Sequence, residues 1–177
     1  KQISMLEFPE LKENCIIIDS ESKRYSMCGV RIGFLVIRSQ SLHNAAMLFA
    51  QARLSPVLIG QILATAAHND DTEYINSVRE EYTKRRNLLV ELLNEIPGVK
   101  CPKPKGAFYC VAELPVEDAD DFAQWMLESF SDNGETVMVA PASGFYSQPE
   151  LGKKQVRIAY VLKSEDLKRS VELLKLA

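Results

Sequence analysis

Two short apolar runs, residues 15–18 and 32–37, enclose a polar segment that holds a lysine, a glycine and an arginine. Their β-branched content predicts two buried strands, over 15–19 and 31–37. The loop between them carries no crossover helix, so the pair is expected to run antiparallel. The polar segment is then the place where chemistry would sit.

That segment reads DSESKRYSMCGVRIG from position 19. A lysine at the mouth of a buried strand is pushed toward its neutral, nucleophilic amine by desolvation and by a neighbouring cation. Lys23 is preceded by Ser20 and Ser22 and followed by Arg31. A guanidinium grips phosphate oxygens in bidentate fashion, and serine hydroxyls add shorter, neutral hydrogen bonds. Gly29 allows a positive φ or a close backbone approach before the second strand. Together these point to an amine that makes an imine beside an anchored phosphate. Taken singly, such a lysine is usually solvated and such an arginine usually meets a carboxylate, so the weight rests on their agreement in one register.

The spacing Ser-x-Ser-Lys-x-x-Ser-Met-x-Gly-x-Arg-Ile-Gly is matched at Ser20, Ser22, Lys23, Ser26, Met27, Gly29, Arg31, Ile32 and Gly33. It resembles the pyridoxal-phosphate attachment signature of class I and II aminotransferases. The resemblance implies that Lys23 carries pyridoxal 5′-phosphate as an internal aldimine and that Ser20 and Arg31 hold its phosphate. Glu21 departs from the pattern, which prefers an apolar residue there. The whole chain is similar to the C-terminal half of such an enzyme, nearest the aspartate aminotransferase branch. The implied fold class is α/β. Residues 1–60 would be the tail of the fold-type I large, cofactor-binding domain, and 61–177 a small α+β C-terminal domain that begins within the long helices.

Composition removes other classes. With 46% hydrophobic and 25% charged residues and a net charge of −3, the chain has no basic field for nucleic acid. It lacks the run of about 18 apolar residues that a membrane span needs. Neither partner is expected. Cys15, Cys28, Cys101 and Cys110 follow no metal spacing and read as reduced thiols packed in the core of a cytoplasmic protein, so no metal is expected. The absence of a signal pattern agrees with that location, and the start at Lys1 suggests a truncated longer protein.

Further along, a helix is predicted from Ser39, with Leu42, Ala46, Phe49 and Ala50 on one face, broken at Pro56. Helices follow over 57–68 and 72–96, separated at Asn69 and the Asp-Asp pair. The second carries a stripe of Tyr74, Val78, Tyr82, Leu89, Leu92, Leu93 and Ile96, and Pro97-Gly98 stops it. A strand is expected over 107–112. Next comes a helix capped by Asp118 or Asp120, whose Phe122, Trp125, Met126 and Phe130 recur at core spacing. Strands over 136–140 and 156–161 and a last helix capped by Ser164 complete a sheet covered by helices.

Arg157 lies between apolar neighbours in the strand VRIAY, where a guanidinium is costly unless an anion meets it. An internal salt bridge and a ligand carboxylate are equally consistent with that pattern alone. The resemblance places here the arginine that binds the substrate α-carboxylate. Arg53, in the kinked ARLSP segment, is a candidate for the side-chain carboxylate of a dicarboxylic substrate, across a subunit boundary in a full-length homodimer; a helix-end arginine bonding backbone carbonyls is the plainer alternative. The implied activity is transamination between an amino acid, aspartate, and a 2-oxo acid, 2-oxoglutarate, with Lys23 as general base. The ring-contacting residues would lie upstream, so the 177 residues alone are expected to bind the cofactor poorly and to be inactive. Alternatives are another pyridoxal-phosphate enzyme of this fold, such as an aromatic or kynurenine transaminase or a lyase, or a ligand-sensing domain of a transcription regulator.

Overall fold

In the computed structural model, which describes residues 3–69 and 72–177, β1 (Ile16–Ser20) and β2 (Gly33–Ile37) pair antiparallel. Their register runs from Ile16 opposite Ile37 to Ser20 opposite Gly33. The strands form a two-stranded sheet of their own. The burial expected of both strands is not found: β1 alternates exposed with half-buried residues, and β2 is exposed from Gly33 to Val36. Ile18 is 82% exposed, and Phe34, Leu35 and Val36 are exposed as well.

The chain divides into two compact units, Lys1–Ser77 and Val78–Ala177. In the first, the ribbon is followed by α2 (Gln40–Arg53) and α3 (Leu58–Asn69), with a single helical turn, α1 (Glu21–Arg24), between the strands. Ser39 stands at the N-cap of α2 without a side-chain bond. The helix ends as expected before Pro56, and Leu54 there takes a positive φ of 69°. Asp70 and Asp71, expected to separate α3 from α4, lie outside the described residues. The helix α4 (Thr72–Asn94) begins in the first unit and ends in the second.

The second unit is built on a three-stranded antiparallel sheet in the order β3 (Tyr109–Glu113), β5 (Gln155–Ala159), β4 (Ala140–Pro141). Against it pack α5 (Ala119–Glu128), α6 (Ser164–Leu176) and the end of α4, through Leu89, Leu93, Ala112, Val156 and Leu167. Asp118 caps α5 by accepting from Asp120 N–H at 2.9 Å. The buried face of α5 is Ala119, Ala123 and Met126. Small residues let the helix sit close, and Trp125 remains at the surface between Phe122 and Phe130 instead of entering the core. The strand expected over 136–140 shrinks to two residues, because its pairing with β5 is limited to Ala140 and Pro141. Ser164 is the first residue of α6, and Lys163 holds the extended N-cap position.

Cys101 and Cys110 are buried side by side, whereas Cys28 is exposed and Cys15 half-buried. The hydrogen bond with Cys101, together with burial, pushes the Cys110 thiol far up from its ordinary range. The same bond draws the Cys101 thiol down, so the two are held apart in acidity within one packed unit; only Cys28 departs fully from the core placement expected of the cysteines.

Candidate functional site

The two chain segments of the sequence motif meet at one end of the β1–β2 ribbon. Ser20 pairs with Gly33, and just beyond the ladder Glu21 N–H donates to Ile32 C=O at 3.2 Å. Arg31 is the next residue on that side. A Cβ on Gly33 would lie 2.8 Å from the Asp19 carbonyl oxygen, so only glycine permits this approach. Ser20 is the N-cap of α1, its Oγ accepting from Ser22 N–H at 3.1 Å. Asp19 pairs with Arg24 at 2.6 Å.

Lys23 sits in α1 and is exposed, so the desolvation expected at the mouth of a buried strand is not supplied by the described residues. Arg31 is held in the left-handed region, φ 59° and ψ 42°, with Nη1 donating to Cys28 C=O at 2.9 Å. A cleft of about 730 Å3 opens beside it, lined by Asp19, Arg31, Phe34, Phe49 and Arg53 among others. Thus Arg31 and Arg53 face one cleft. Arg53 makes no hydrogen bond or ion pair to a described residue; the alternative bond to helix-end carbonyls is not formed.

The donor set suits a phosphate ester. Arg31 spends one N–H on Cys28 and keeps the rest of its planar fork, and the Ser20 oxygen that accepts from Ser22 retains its own O–H to donate. Among the described residues lining the cleft the one carboxylate, Asp19, is already paired with Arg24.

Arg157 belongs to the second unit, at the middle of β5, opposite Val111 on one side and Ala140 on the other. Its guanidinium carbon lies 4.6 Å from the ring centres of both Tyr109 and Phe145. Among the described residues it forms no ion pair. The rings offset its desolvation by cation–π attraction while leaving in-plane N–H groups for an anion.

One group of residues was not legible beforehand. Glu21 is buried against His68, which reaches Tyr25, and Tyr25 stacks on Tyr74. The departure of Glu21 from the motif was its only signal; nothing in the sequence ties position 21 to position 68.

The family model for aminotransferase class I and II matches residues 4–174. The chain belongs to this family of aminotransferases. It is 33% identical, over 99% of its length, to an aspartate aminotransferase of Bacillus subtilis. It is 31% identical, again over 99%, to a (5-formylfuran-3-yl)methyl phosphate transaminase of Methanocaldococcus jannaschii. An aromatic aminotransferase from Pyrococcus horikoshii superposes with a TM-score of 0.84 at 28% identity. The chain spans 44%, 45% and 46% of those three proteins, so this aminotransferase sequence corresponds to less than half of each. The family uses pyridoxal 5′-phosphate, and the donor set at Ser20, Lys23 and Arg31 fits that group: an amine for its aldehyde, a guanidinium and a hydroxyl for its phosphate.

Proposed function

We propose that the chain supplies the lysine, phosphate and carboxylate contacts of a pyridoxal-phosphate-dependent transaminase, with aspartate as amino donor and 2-oxoglutarate as acceptor. Residues 1–60 serve the large, cofactor-binding domain and 61–177 the small one, in a homodimer when the protein is full length. What supports this reading is the backbone pairing of Ser20 with Gly33 and of Glu21 with Ile32, from which the segments carrying Lys23 and Arg31 leave the same end of one ribbon. Arg31 and Ser20 would hold the phosphate of the cofactor, and Lys23 would supply the amine for its aldehyde. When bound, the cofactor supplies the electron sink that stabilises negative charge at the substrate Cα. Lys23 Nζ takes the proton from Cα and returns it on the cofactor side. Arg157, clamped between Tyr109 and Phe145, receives the α-carboxylate as a planar pair. Arg53 takes the side-chain carboxylate of the dicarboxylic donor.

The aromatic aminotransferase and the furan-phosphate transaminase among the relatives favour a second reading, in which a bulkier substrate replaces aspartate. A donor screen on the full-length protein separates the two. Arg53→Leu is expected to impair aspartate more than alanine; equal losses exclude the dicarboxylic role. The 177 residues alone are expected to turn over negligibly, and appreciable transamination by them would refute that part.

A further inference from the structure

Position 21 is both the place where the attachment motif departs from its pattern and the place where the fold buries a charge. Glu21 is 1% exposed. Its Oε1 lies 2.9 Å from His68 Nε2, and its Oε2 has no hydrogen-bond partner among the described residues. On the other side of the imidazole, Nδ1 faces Tyr25 Oη at 3.4 Å. An ionised carboxylate only accepts, so against one Nε2 donates to Glu21. Tyr25 also stacks on Tyr74, whose hydroxyl donates to Ser26 Oγ at 2.9 Å. Both ends of α1 are therefore tied down, Glu21 to α3 and residues 25–26 to the first turns of α4. Lys23 stands between the two anchors.

Glu21 faces inward and Lys23 outward on the same turn. A buried carboxylate stripped of its partner must take a proton or leave the interior. In a turn this short, leaving means re-aiming the lysine. We propose that Glu21 and His68 act as one positioning pair that fixes the turn displaying Lys23, with His68 the group that allows a carboxylate where the family motif carries an apolar residue. The consequence for catalysis rests on the reading of Lys23 as the reactive amine; the pair itself does not.

The test is a substitution cycle of His68→Leu, Glu21→Leu and the double variant in the 177-residue chain. It is read by hydrogen exchange of the Tyr25 amide, which donates to the Glu21 carbonyl at 3.3 Å and closes the turn. His68→Leu is expected to speed that exchange about tenfold, and the double variant to return it to within about threefold of the original. Rescue marks the pair, because two leucines remove more native contacts than one. Unchanged exchange in His68→Leu, or a double variant no slower than the single one, overturns the proposal. Should His68→Leu fail to fold, the ring nitrogens of His68 in the unaltered chain decide by NMR: a proton on Nε2 is expected, and an Nε2 that carries none refutes the pair. Trapping of pyridoxal 5′-phosphate on Lys23 by borohydride is measured alongside in the full-length protein and should follow the same pattern of loss and rescue. Failure to trap in the unaltered full-length protein counts against the enzyme reading, while exchange and the Nε2 proton still judge the pair.

Discussion

Replacing Arg31 by alanine and by glycine separates what its backbone costs from what its side chain does. At φ 59° and ψ 42° an L-residue carries strain of about 1–2 kcal/mol from its Cβ. Alanine keeps that strain and glycine removes it, while glycine gives back about 0.5–1 kcal/mol through a freer unfolded chain. Both variants lose the bond from Arg31 Nη1 to Cys28, so it cancels between them. The glycine variant should therefore be the more stable, by up to about 1.5 kcal/mol, against the usual order of these residues. With a urea slope of about 2 kcal/mol/M, this raises the midpoint by up to roughly three-quarters of a molar. Circular dichroism follows the transition, and the fluorescence of Trp125, the single tryptophan, reports the second unit separately. The two variants should also lose equally the preference for pyridoxal 5′-phosphate over unphosphorylated pyridoxal. Alanine as stable as glycine would refute the strain argument, and a preserved phosphate preference would refute the role of the guanidinium.

Gly60 on α3 would place a Cβ 2.9 Å from the Val30 carbonyl oxygen and 3.1 Å from Ile32 Cγ1. The resulting overpacking of about 1–3 kcal/mol outweighs a gain of about 1 kcal/mol in helix propensity, so Gly60→Ala should lower the urea midpoint. Of the cysteines in the native chain, Cys28 should be alkylated first by iodoacetamide and Cys101 and Cys110 last, as peptide mapping of the labelled chain will show; early labelling of Cys110 would contradict its burial. Burial raises the Tyr160 hydroxyl above its ordinary range, outweighing the nearby Arg86 cation, and that hydroxyl donates to Ala107 C=O at 2.9 Å. Its share of stability is fully present below the unfolded value of about 10 and lost as pH rises through the higher folded value. Tyr160→Phe should flatten the alkaline fall in stability.

Local patterns carried the helices and the antiparallel ribbon into the sequence reading, because apolar periodicity, Pro56 and Asp118 act over a few residues. Burial was less legible. The β-branched run at 15–18 looks like a core strand, but whether Ile18 is covered depends on elements far from it in the sequence. Trp125 misled in the same way: its spacing marks a helix face, and the smaller Ala119 and Ala123 are what bring α5 against the sheet. The motif singles out Ser20, Lys23 and Arg31 as candidates because their spacing within one hairpin is a local property. Pairing between Glu21 and His68 depends on how α3 returns to α1, and the aromatic clamp on Arg157 depends on the ring of Phe145 arriving from a loop.

The most direct measurement incubates the full-length protein with pyridoxal 5′-phosphate, reduces with borohydride and maps the labelled peptide. Label concentrated on Lys23, suppressed by inorganic phosphate and reduced in Arg31→Ala, is the expected result. Label spread evenly over the exposed lysines and indifferent to phosphate would show that the amine and the guanidinium do not share one ligand.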